Sequence, residues 1–186
     1  MFKRLVKFFT IGMLAINLAG CQTATIIDLF HAKTEKLQVT EVVFSNPAYE
    51  PNRVGTVFFA PYTVQNESDT DPVYYKYSLY LKAFRLVENS NPVTINSVKV
   101  KGTKDVTFKE LSKDLSIPLE FSDWEGSIQK SDNLLFEEIN EENMKLTDDS
   151  IITVLVNVSV EENGETITKD LTFELETRSR TYSVQQ

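Results

Sequence analysis

A single cysteine, a single histidine and a few local groupings of carboxylates, tyrosines and lysines bound the chemistry open to this chain. Cys21 closes the run Leu18-Ala19-Gly20-Cys21, a thiol placed directly after an apolar stretch and therefore a candidate for covalent modification rather than catalysis. His31 stands without a partner at metal-ligand or triad spacing, and reads as a solvated linker residue. Glu67, Asp69 and Asp71 alternate like the first ligands of a calcium loop, but the glycine and closing glutamate of such a loop are missing, so a solvated acidic turn accounts for them. Tyr74, Lys76 and Tyr80 share one parity of an alternating segment, which suits a contact face for a protein or a sugar, or packing against neighbouring strands. Lys99, Lys101, Lys104, Lys109 and Lys113 form a basic stretch that suits either an anionic polymer or the protection of strand edges. No GxSxG elbow, HExxH, CxxC or phosphate-cradling glycine loop is present, and no catalytic role can be filled. No cofactor and no metal site is expected.

The residues around Cys21 belong to a three-part N-terminus. Lys3, Arg4 and Lys7 are followed by an apolar core from Phe8 to Ala19, too short to span a bilayer, since a transmembrane helix needs roughly 20 apolar residues. With Leu18-Ala19-Gly20-Cys21 at its end, the segment resembles the lipobox signal peptide of bacterial lipoproteins. The resemblance implies cleavage between Gly20 and Cys21, acyl chains on Cys21, and attachment to a membrane through that lipid. It also implies sorting by the next residue: with Gln22 rather than aspartate there, the outer membrane is favoured, or the outer face of the cell membrane in a Gram-positive host. No specific family is recognised for the mature part.

Composition narrows the function further. Residues 1–20 carry three basic and no acidic groups, so their removal leaves 16 bases against 27 acids and takes the net charge from −8 to −11. That balance argues against nucleic-acid binding, which needs a basic footprint. With its one thiol lipidated, the mature chain has no internal disulfide, and stability rests on packing and strand pairing.

From Leu37 onward the period is two, the signal of β-strands. Ile152, Val154, Val156, Val158 and Val160 alternate with Thr153, Leu155, Asn157 and Ser159 up to Asn163-Gly164, the central pair of a type I′ turn, and the chain returns through Ile167, Leu171, Phe173 and Leu175. The turn sets a register in which Val160 faces Ile167, Val156 faces Leu171, Val154 faces Phe173 and Ile152 faces Leu175. Further strands are expected at 37–44, 54–65, 73–87 with a bulge near Ala83 and Phe84, 93–101, 105–110 and 115–121. Leu135 and Ile139, separated by acidic residues, suit a short helix around 133–143. Trp124 reads as a buried plug, or alternatively as an exposed contact residue.

These elements describe an all-β protein: a two-sheet antiparallel, immunoglobulin-like β-sandwich of seven or eight strands, with a closed barrel as the alternative. The expected organisation is a signal peptide at 1–20, a lipidated tether at 21–36 with at most one or two helical turns, and a single sandwich domain at 37–186. The expected function is that of a lipid-anchored, non-catalytic binding or scaffold module for another envelope protein or polymer. The alternative is a small-ligand carrier or an envelope enzyme.

Overall fold

The computed structural model describes residues 22–66, 76–140 and 144–184. It is an antiparallel two-sheet β-sandwich. In chain order the strands are β1 (Gln22–Phe30), β2 (Arg53–Val54), β3 (Val57–Asn66), β4 (Lys76–Leu86), β5 (Val93–Lys104), β6 (Thr107–Phe108), β7 (Leu111–Pro118), β8 (Ser122–Glu125), β9 (Ile128–Asn140), β10 (Met144–Lys145), β11 (Ile151–Glu162) and β12 (Glu165–Val184). The first sheet runs β1-β12-β11-β5-β7 and the second β2-β3-β4-β9-β8, while β6 and β10 form a small separate pair. The contacts divide the chain into two compact units, Ile27–Ser179 and Met1–Ile26 with Arg180–Gln186. The first holds the sandwich; in the second, the described residues are the outer ends of β1 and β12.

The C-terminal hairpin has the register read from its turn and alternation, with Glu162 opposite Glu165, Val160 opposite Ile167, Val156 opposite Leu171, Val154 opposite Phe173 and Ile152 opposite Leu175. Asn163 and Gly164 both take positive φ, 53° and 82°, as a type I′ turn demands. Val154, Val156, Val158, Leu171 and Phe173 meet Phe59, Leu79, Leu81, Leu135 and Ile139 of the second sheet in one core. Each such side chain contributes about 1.5–3 kcal/mol on burial.

Four local expectations are corrected. Residues 133–140 are not helical but lie in β9, and 141–143 fall outside the described residues. Leu135 and Ile139 are both fully buried, because a spacing of four keeps one face in a strand as well as in a helix. Residues 37–44 form no strand; 3₁₀ turns at Glu41–Phe44 and Pro47–Asn52 take their place. These turns explain the third correction. Phe84 does not change parity through a bulge at Ala83: β4 continues, and Phe84 points to the opposite side of the sheet, where Phe58, Ala60 and Ile128 form a second small core beneath Val39 and Val43. The irregularities of β4 against β9 fall instead between Tyr77 and Tyr80. Finally, residues 22–30 are a strand at the edge of the first sheet rather than a tether with helical turns.

The same edge strand changes the reading of His31. It is buried, 6% exposed, with its ring edge-on to Phe173 at 5.7 Å. Burial, and secondarily the charge of Lys33, lower its pKa to about 4.

Candidate interaction face

Alternation along β3, β4 and β9 sends one set of side chains into the core and the other to the outer face of the second sheet. Over part of that face the segment from Leu37 to Tyr49 lies on Phe58 and Phe84. Beyond it the face presents Tyr62, Val64, Tyr80, Lys82, Asp132 and Leu134.

Tyr62 and Tyr80 stand directly opposite each other, and their rings stack at 5.1 Å with 20° between planes. The Lys82 ammonium sits 4.1 Å from the Tyr62 ring centre on the diagonal position. Leu134 faces Tyr80 from the other side, and Lys82 faces Asp132. Asp132 pairs with Lys130 at 2.9 Å. Burial, then the Asp132 charge and the neighbouring Tyr80, push the Tyr62 phenol up to about 12. It therefore stays neutral and a hydrogen-bond donor throughout the physiological range. Val64 and Leu134 remain 41% and 40% exposed, two aliphatic side chains flanking the tyrosine pair.

Lys76 and Tyr80, picked out from the sequence, fall on the same parity of β4; Tyr74 lies outside the described residues, as do Gly20, Cys21, Glu67, Asp69 and Asp71. Tyr62, Lys82, Asp132 and Leu134 do not stand out in the sequence. Their grouping depends on the registers of β3 with β4 and of β4 with β9, and no short turn motif between those strands announces either. Trp124 is 42% exposed on β8, packed edge-on against Phe84 at 5.3 Å, so the expectation of a buried plug is corrected.

The outer face of the first sheet is of a different kind. Asn96 donates to Asn157 at 2.7 Å and to Ser159 at 2.8 Å, Asn157 donates to Asp170 at 2.6 Å, and Ser159 meets Thr168 at 2.8 Å. These polar groups satisfy one another across the strands. Of the lysine series, Lys99 pairs with Glu110 at 2.5 Å, and Lys113 lies on β7, one of the two edge strands of that sheet. A lysine there suits the protection of an open edge. Among the described residues no group of three or more His, Cys, Asp or Glu side chains could hold a metal ion.

Comparison with protein families, with curated proteins and with solved structures finds no match to this chain.

Proposed function

We propose that this chain is a lipid-anchored bacterial envelope protein whose sandwich serves as a non-catalytic binding or scaffold module. The observation that carries the anchor is the sequence Leu18-Ala19-Gly20-Cys21 behind a basic and apolar N-terminus. Acyl chains on Cys21 contribute roughly 0.8 kcal/mol per buried methylene, so two or three chains hold the protein stably at a membrane. Gln22 favours the outer membrane in a Gram-negative host.

The binding role is supported by the contrast between the two outer faces. One is a network of mutually satisfied polar side chains; the other, beyond its covering turns, offers aliphatic and aromatic groups beside lysines, the composition of a contact surface. The partner is an envelope protein or polymer, and nucleic acid is disfavoured by the acidic balance of the chain.

Affinity capture of the intact protein from membranes of its own host tests this reading, with Cys21→Ala and Leu134→Asp as comparisons. A defined envelope component that co-purifies with the wild type and is lost with Leu134→Asp supports it. Equal recovery from both proteins removes the face from the proposal.

A further inference from the structure

The short turn after β1 is held by a group of charged and titratable side chains that serves no purpose on the interaction face. The N–H groups of Thr34 and Glu35 donate to the His31 carbonyl at 3.1 and 2.9 Å, closing the turn. The imidazole folds back onto Phe173, with Nδ1 2.6 Å from the Thr34 hydroxyl. Arg178 of β12 reaches across to both ends of the segment. Its Nε donates to Asp28 at 3.3 Å, its Nη1 donates to Glu35 at 3.1 Å with Nη2 on the other carboxylate oxygen, and its Cζ lies 4.4 Å from the centre of the Phe30 ring. Asp28 is itself buried, at 8% exposure. Lys33 adds a positive charge beside His31. From the second sheet, Tyr77 and Thr63 donate their hydroxyls to the Ile27 and Leu29 carbonyls.

We propose that Asp28–Glu35 is an acid-released strap, which holds the chain between anchor and sandwich against β12 at neutral pH and lets go when His31 takes up a proton. The anchoring half of this statement rests on the lipidation of Cys21; the strap itself does not. A proton on His31 places an imidazolium charge beside Phe173 and Lys33. His31 stays neutral in the closed turn down to about pH 4, whereas a detached histidine begins to charge near its ordinary value of 6.5. The closed form is thus fully favoured above 6.5, and its advantage falls as the pH drops toward 4. The limit is tenfold per pH unit, and solvent screening reduces the total to about ten- to hundredfold across the window. β1 is an edge strand, so once the strap is lost its only neighbour within the sheet is β12. Freed as extended chain, residues 22–36 span at most roughly 50 Å, which limits the reach of the tethered module.

Hydrogen exchange read by mass spectrometry, on the full-length protein in detergent micelles, separates the outcomes. After correction for intrinsic exchange rates, amides of 27–36 should exchange about ten- to hundredfold faster near pH 4 than near pH 7, while those of 152–160 stay protected. His31→Phe should diminish that gain, and Arg178→Met should open the strap already at neutral pH. Equal protection of 27–36 at both pH values, or loss of protection in 27–36 and 152–160 together, overturns the strap. The N-terminal peptide in the same spectra reports separately on Cys21, so an unmodified thiol contradicts the anchor without bearing on the strap.

Discussion

The turn between β2 and β3 is tied to the hairpin of the other sheet by one carboxylate, and a mutant cycle across that tie has a definite expected size. Glu162, at the end of β11, accepts from the Thr56 N–H at 2.5 Å and from the Thr56 hydroxyl at 2.6 Å. Gly55, the preceding residue, has φ of +53°, and a Cβ built there falls well inside contact distance of the Glu162 carboxylate. Glu162→Ala removes two charge-assisted hydrogen bonds, partly exposed, at a cost of about 2–3 kcal/mol. Gly55→Ala combines backbone strain of about 1–2 kcal/mol with displacement of the carboxylate, for about 3 kcal/mol. In the double variant the carboxylate is already gone and only the backbone strain at position 55 remains, so the two costs overlap by about 1.5 kcal/mol instead of adding. Urea unfolding followed by circular dichroism reads all four corners of the cycle. A 1 kcal/mol change moves the melting temperature by about 2–4 °C in a chain of this size, so the single variants should also stand apart in thermal scans. Costs below about 0.5 kcal/mol for both single variants, or strict additivity, refute the argument that one carboxylate holds this turn.

Other expectations follow from the same geometry. Because His31 is the only histidine, its ring C–H resonances are unambiguous in a proton NMR titration; their midpoint should lie near pH 4, and a midpoint near 6.5 contradicts the burial of the ring. The Tyr62 phenol should titrate near pH 12 in ring-labelled NMR spectra, and Asp132→Asn should lower that value while leaving burial as the main cause of the rise. Leu135→Ala should destabilise the fold by about 2–5 kcal/mol in denaturant unfolding, since the side chain is fully buried between the sheets. Gly164→Ala, at φ +82° in the hairpin turn, should cost about 1–2 kcal/mol, and an unchanged midpoint would argue against the type I′ geometry.

The hairpin of β11 and β12 is legible in the sequence because two independent signals coincide there: Asn163-Gly164 sets the turn, and the alternation of Ile152, Val154, Val156, Val158 and Val160 sets the faces. Where only one signal exists, the reading is ambiguous. Leu135 and Ile139 satisfy both a helical and a strand period, and only the neighbouring β4 decides between them. Val39 and Val43 give a similar ambiguity, with apolar residues four apart beside Pro47 and Pro51, and the chain resolves it as turns over Phe58 and Phe84. Phe84 shows the general difficulty: alternation assumes one buried face, and this sheet buries part of its second face too. Of the interaction face, Tyr80 and Lys76 are visible as a stripe along one strand. Tyr62, Lys82 and Leu134 join them only through pairings across strands, which are tertiary facts. His31 reads as solvated in the sequence because Phe173, which covers it, is distant in the chain.

The most direct test of the account is intact and peptide mass spectrometry of the protein isolated from the membranes of its own host. The expected result is a mature N-terminus at Cys21 carrying a diacylglyceryl group, with or without a further acyl chain on its amine. A chain that retains residues 1–20 and an unmodified Cys21 thiol contradicts the lipid anchor, and with it the reading of the sandwich as a tethered envelope module.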